Sequence, residues 1–186
     1  MSQEIKLHLL PGAQRSASVL ITALLSKVPF TVQFHTATSC KSDEYLQVHP
    51  FGKLPSAETP EGPLYESNTI CRYFARKAKS LYGTNSYEEA LVDQWLDTIR
   101  TDFGTAGRFA YSVFGFADSF FKYDLKHLHH DMTEYVKILK VVDNKLAKKQ
   151  YLVGDTLTIA DVTLVADLAY LYKFLFTDKE RQQLTY

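Results

Sequence analysis

The strongest constraint on this chain is the stretch His49 to Arg72, HPFGKLPSAETPEGPLYESNTICR. It reads as a loop, a strand, a tight turn, a second strand and the start of a helix. Pro55 stands directly before the apolar–polar strand Ser56 to Thr59. A proline opening a strand has no N–H to give to the sheet, and an X-Pro bond takes the cis form at modest cost. Pro60-Glu61-Gly62-Pro63 fits a hairpin turn. Glu66-Ser67-Asn68 then leads into Ile70, Tyr73 and Phe74 as a capped helix start. This geometry would let Leu54 offer its N–H and C=O to a peptide-like ligand, as a neighbouring strand does. The free N–H groups of the following helix would suit a carboxylate. The plainer alternative is a strand-opening proline followed by an ordinary N-cap.

Upstream, Ile5, Leu7 and Leu9 alternate with Lys6 and His8, which predicts a half-buried strand over Ile5–Leu10. Pro11-Gly12 breaks it. Ser16 to Lys27 carries Val19, Leu20, Ala23 and Leu24 at helical spacing. Pro29 ends that helix, and Phe30, Val32 and Phe34 alternate again. A strand, a helix and a strand so spaced form a βαβ unit with parallel strands. Thr38 to Gln47 is polar and loop-like, with room for a helical turn. With the hairpin and the Ser67 helix the order becomes βαβ-ββα, a thioredoxin-like arrangement.

Ala75 to Ser86 is a charged, turn-rich connector, so the predicted domains are 1–78 and 87–186. From Tyr87 onward the pattern is helical. Leu91, Trp95 and Ile99 form one stripe. Phe103 to Phe121 holds Phe109, Tyr111, Phe114, Phe116, Phe120 and Phe121, too many for one face of one helix. A core, a partner surface and an electrophile pocket all remain open for them. Leu125 to Leu146 is a long amphipathic helix with Lys145, Lys148 and Lys149 near its end. His127 and His130, with His129 and Asp131, have a spacing a metal could use, but no nearby Cys or further His completes a ligand set, so no metal is expected. Thr158 and Asp161 form a capping-box variant, with Leu157 stapling onto Val162, which makes Asp161 a structural acid. The helix that follows is apolar on nearly every side and should lie centrally.

The chain has 186 residues, which suits one compact unit or two small domains, and 46% apolar residues, enough for a proper core. Its formal net charge of +0 favours neither nucleic acid nor an anionic membrane through bulk electrostatics. The only cysteines are Cys40 and Cys71. With no leader-like segment at the start, reduced thiols and a cytoplasmic location are expected.

Several of these runs resemble the glutathione transferase superfamily. The resemblance rests on Pro50-Phe51-Gly52-Lys53-Leu54-Pro55, Glu58-Thr59-Pro60-Glu61-Gly62, Glu66-Ser67-Asn68-Thr69-Ile70, and on Leu152-Val153-Gly154-Asp155 with Thr158-Ile159-Ala160-Asp161-Val162-Thr163. The wording Glu-Thr-Pro-Glu-Gly-Pro, and Leu171-Tyr172-Lys173 near the end, is most similar to the branch found in elongation factor 1-gamma. The implied fold is an α/β thioredoxin-like N-terminal domain followed by an all-α C-terminal domain. Leu54-Pro55 would pair with the cysteinyl backbone of glutathione, and Glu66 and Ser67 would hold its γ-glutamyl end. Lys41 would lie near the glycine carboxylate. Lys53 stands where relatives often carry glutamine.

The serine of plant-type enzymes falls at about Ala13, which has no hydroxyl to stabilise a thiolate. Gln14 and Arg15 are polar neighbours, and Ser16 is the one remaining weak catalytic candidate. The expectation is therefore a non-catalytic interaction module with no cofactor, and with glutathione as its conceivable ligand. The branch resemblance implies other subunits of the elongation factor 1 exchange complex as partners, and a homodimer. An active transferase is the alternative, and a module of a tRNA synthetase complex a further one. Relatives continue with more helix beyond Tyr186, so an excised domain or a shortened homologue is expected.

Overall fold

The computed structural model describes residues 4–36, 38–103, 125–174 and 176–184. The chain divides into two compact units, Met1–Tyr82 and Gly83–Tyr186.

The first unit contains strand β1 (Ile5–Leu9), helix α1 (Gln14–Ser26) and strand β2 (Phe30–Phe34). A 3₁₀ turn, Ser39–Lys41, and the short helix α2 (Asp43–Leu46) follow, then β3 (Ser56–Thr59), β4 (Gly62–Tyr65) and α3 (Ser67–Ala78). The sheet order is β2-β1-β3-β4. β1 and β2 are parallel, with Leu7 beside Val32. β3 runs antiparallel to β1, with His8 beside Ser56 and Lys6 beside Glu58. The strand-period alternation sends Ile5, Leu7 and Leu9 to one face and Lys6 and His8 to the other. The first face meets α1 and α3: Phe30 packs edge-on against Phe74 at 5.9 Å, and Thr22 of α1 donates to the Cys71 sulfur of α3 at 3.5 Å. The second face meets α2, where the Tyr45 ring lies against His8.

Helix α1 corrects one sequence expectation. Its buried residues are Gln14, Ser16, Ser18, Val19, Thr22, Ala23 and Ser26, while Leu24, expected inside, is 61% exposed. Small side chains win the buried face because their hydroxyls find partners at little cost. Ser18 and Ser26 donate to carbonyls three residues back, at 2.9 and 2.7 Å. Helix α3 supplies a second correction. Its N-cap is Glu66, at φ 71°, and no side chain caps the helix there. A capped start was expected, and a non-glycine residue held at positive φ stands in its place.

The second unit contains α4 (Ser86–Thr98), a π-helical turn (Ile99–Phe103), α5 (Leu125–Leu146), α6 (Ile159–Phe174) and α7 (Asp178–Arg181). Asn85 caps α4, its side chain accepting from the N–H groups of Tyr87 and Glu88. The apolar stripe is Val92, Trp95, Leu96 and Ile99, so Leu91 lies only at its margin. Phe103 meets Tyr135 edge-on at 5.3 Å. In α6, Ile159, Ala160, Val162, Leu164 and Ala166 are buried, although Val165 faces solvent. Asp161 ties the entry to α6 together: it accepts from the Leu152 N–H, the Thr158 N–H and the Thr158 hydroxyl at 2.8, 2.8 and 2.9 Å. Of the three lysines expected in the last turn of α5, only Lys145 belongs to it. The aromatic residues Phe109, Tyr111, Phe114, Phe116, Phe120 and Phe121 lie outside the described residues, as do the side chains of His127, His129, His130 and Asp131.

Among the described residues no helix is long and apolar enough to cross a membrane, and no group of three metal-ligating side chains is gathered.

Candidate functional site

The site is built on the loop from His49 to Pro55 and the entry to α3. The Leu54–Pro55 peptide is cis. Sheet pairing of β3 begins at Ser56, which leaves the Leu54 main chain outside the ladder. The last pair between β3 and β4 is Ser56 with Tyr65. One residue beyond it stand Pro55 on one strand and Glu66 on the other, so the register brings these two sequence-predicted residues to one end of the hairpin. Glu66 is exposed, whereas Ser67 behind it is buried, at 5% exposure.

Three side chains from the preceding crossover hold the loop. Lys41 Nζ donates to the Gly52 carbonyl at 2.6 Å, and Cys40 Sγ approaches the same oxygen at 3.3 Å. The Tyr45 hydroxyl donates to the Lys53 carbonyl at 2.7 Å and lies 2.8 Å from the Ser56 hydroxyl. Burial holds the Tyr45 phenol up at about 12, so it stays protonated throughout the physiological range. Gly52 makes this close approach possible. Its φ is +55°, and a Cβ there would lie 2.8 Å from the Cys40 carbonyl oxygen.

His49 was not singled out in the sequence, yet it links the site's charges. It is buried, and its Nδ1 accepts from the Phe51 N–H at 3.3 Å. Its ring packs on Tyr65 at 4.8 Å, and Phe51, 64% exposed, closes an aromatic trio with them. Burial lowers the His49 pKa; the Glu66 carboxylate opposes this, and Lys53 and Lys41 add to it. Lys41, Lys53 and Glu66 thus all act on one imidazole. The only sequence signal for this residue was its place at the head of the loop.

The loop joining β1 to α1 places Ala13 at the N-cap of α1, with no side-chain cap. Ser16 is buried, and its hydroxyl accepts from the Leu10 N–H at 3.0 Å. That bond closes the β1–α1 turn and gives Ser16 a structural partner.

A mixed four-stranded sheet with α1 and α3 on one face and α2 on the other, in a chain whose second unit is helical, defines a protein of the thioredoxin-like plus all-α class. The description "Glutathione S-transferase, N-terminal domain" matches residues 4–76 and "Glutathione S-transferase, C-terminal domain" matches residues 113–183. This chain belongs to the glutathione transferase superfamily. It is 34% identical to Elongation factor 1-gamma 1 of Oryza sativa subsp. japonica over 167 residues, covering 87% of this chain and 39% of that protein. It is 29% identical to Glutathione S-transferase stcT of Emericella nidulans over 175 residues, covering 93% of this chain and 78% of the relative. The crystal structure of poplar glutathione transferase F1 superposes with a TM-score of 0.83 at 28% identity, covering 96% of this chain and 85% of that one. The chain spans about two fifths of the length of the elongation factor relatives it matches.

Proposed function

We propose that this chain is a non-catalytic glutathione-transferase-fold module of the elongation factor 1-gamma type. It scaffolds a guanine-nucleotide exchange complex in translation elongation and keeps an inherited glutathione site. The observation that carries this reading is the β1–α1 turn. By the family resemblance the thiol-activating hydroxyl of plant-type transferases falls at about Ala13, the N-cap of α1, and the Ser16 hydroxyl accepts from the Leu10 N–H to close the turn. At position 13 itself a glutathione thiol would meet a methyl group and no hydroxyl to hold it as thiolate.

In this reading the Leu54 main chain pairs with the cysteinyl part of glutathione, and the first turn of α3 with Glu66 and Ser67 receives its γ-glutamyl end. Lys41 lies near its glycine carboxylate, and Lys53, at the position where relatives often carry glutamine, lines the same site. The module's partners are the other subunits of the elongation factor 1 complex, and a second copy of the chain in a homodimer. The likeness to stcT and to poplar glutathione transferase F1 favours a second reading, in which the chain conjugates glutathione to electrophiles.

Two measurements separate these readings. The purified chain is tested for co-elution with the nucleotide-exchange subunit of an elongation factor 1 complex, then for turnover of glutathione with an aryl halide. The scaffold reading expects co-elution and turnover no faster than the uncatalysed reaction. Turnover abolished in Ser16→Ala, without co-elution, establishes the transferase instead. Retention on immobilised glutathione tests the ligand site separately. Lys41→Ala is expected to weaken retention about three- to tenfold, the loss of one charge-assisted contact at a solvated rim.

A further inference from the structure

The α2 face of the sheet carries a chain of hydrogen bonds that the proposed function does not use. His8 projects from β1 onto this face and is 3% exposed. Its Nε2 lies 2.8 Å from Glu58 Oε1 on β3, and its Nδ1 lies 2.8 Å from His35 Nε2. The other nitrogen of His35 lies 3.2 Å from the Ser39 hydroxyl. The chain therefore runs Glu58–His8–His35–Ser39, along the floor of a cavity of about 520 Å³ between the sheet and α2. Other groups face it from each packed element: Lys6 from β1, 3.6 Å from Glu58, and Glu44 and Tyr45 from α2. The Tyr45 ring covers both imidazoles, at 5.5 and 4.9 Å.

An N···N contact of this length needs one proton between the two rings. In the neutral pair, His8 Nε2–H donates to Glu58, and its Nδ1 accepts from His35 Nε2–H. One further proton is accommodated: His8 then donates from both nitrogens, and His35 donates from Nδ1 to Ser39. A second further proton puts two N–H groups face to face, and the contact cannot persist.

We propose that Glu58, His8 and His35 form a proton-gated clasp that pins the 3₁₀ turn Ser39–Lys41 onto the sheet and releases it when both imidazoles are protonated. Ser39 is the point of attachment. It bonds back to Thr36, which it receives as an N–H donor at 3.0 Å, and it begins the 3₁₀ turn that contains Cys40 and Lys41. Those two residues hold the Gly52 carbonyl, so release of the clasp loosens the loop at Leu54–Pro55. The clasp rests on the proposed glutathione site only in this last consequence.

Burial holds both imidazoles below the usual histidine range. For His8 the Glu58 hydrogen bond opposes burial without overcoming it; for His35 the neighbouring His8 and Lys6 add to it. Burial pushes the Glu58 carboxyl up, but the His8 bond and Lys6 outweigh it, so Glu58 stays ionised. A histidine depressed on folding binds its proton more readily when unfolded. The clasp is therefore fully formed above the ordinary histidine pKa of 6.5, holds through the first added proton, and is lost as the pH falls further, through the depressed value at which the second imidazole takes its proton.

The test is amide hydrogen exchange of the whole chain between pH 7.5 and 5.0, corrected for the intrinsic rate. The expected result is a fall in protection of about tenfold or more at Ser39, Cys40 and Lys41 at the lower pH. In His35→Gln the fall disappears, because the amide keeps a polar contact to His8 and cannot be protonated. That variant also separates the clasp from His49, which titrates in the adjoining loop. In Glu58→Gln the midpoint moves to lower pH, since the carboxylate that favours the imidazolium is gone. Protection unchanged in the native chain across this range, or an equal fall in His35→Gln, overturns the clasp. A fall in protection in a chain that binds no glutathione at either pH supports the clasp and removes only the ligand reading.

Discussion

Asp161→Ala is expected to destabilise the helical unit by about 3–5 kcal/mol, measured by chemical denaturation. The carboxylate receives three donors at 2.8 to 2.9 Å: the Leu152 N–H and both donors of Thr158. Thr158 and Leu152 are buried, so removal of the acceptor leaves their polar groups away from water. The loss is a large share of the roughly 5–15 kcal/mol that stabilises a typical domain. Asp161→Asn should lie between the native chain and alanine, because one amide oxygen still accepts while the NH₂ group faces a donor. Thr158→Ala should cost less, about 1 kcal/mol, since the Asp161 bond to the main chain at that position survives. Equal midpoints for Asp161→Ala and the native chain would remove the acid from its proposed structural role.

Gly52→Ala is expected to have the next largest effect, about 2–3 kcal/mol, together with loss of retention on immobilised glutathione. Two costs combine. An alanine at φ +55° pays roughly 1–2 kcal/mol for its left-handed backbone. Its methyl group would also meet the Cys40 carbonyl oxygen at 2.8 Å and the Lys41 side chain at 3.0 Å. The carbonyl is main chain and yields little, so the loop must move away from the crossover that anchors it. The neighbouring exposed Lys53→Ala should change stability by less than about 0.5 kcal/mol. Unaltered stability and retention in Gly52→Ala would show that the loop is not held as described.

The parts of this fold that were legible in the sequence are those decided by neighbours along the chain. Strands Phe30–Phe34 and Ser56–Thr59 announce themselves by alternation and by the prolines before them. The start of α3 at Ser67 follows the hairpin, and Asp161 was readable as structural because its Thr158 partner is three residues away. The buried face of α1 was legible only in part. Apolar periodicity named Val19 and Ala23, which are buried, but also Leu20 and Leu24, which are not, because serines and a threonine that satisfy their own hydroxyls let the helix approach α3 with little bulk between them. Nor does the sequence reveal that Glu66 holds φ 71° without a side-chain cap, since a backbone angle is set by what lies on either side. The His8 chain is the clearest case. Its members are 27 and 50 residues apart, and only the strand order β2-β1-β3-β4 puts them on one face.

The two cysteines sit in opposite relations to the site. Cys71 is fully buried in α3 against Thr22, and burial pushes its thiol up to about 11, so at neutral pH it behaves as a small apolar side chain. Cys40 is also buried, but its sulfur lies against the loop of the site, 3.3 Å from the Gly52 carbonyl oxygen. A reagent's access to that sulfur is expected to rise when the loop swings aside. Its rate of alkylation is thus a clock for loop opening, built into the native chain and needing no engineered label.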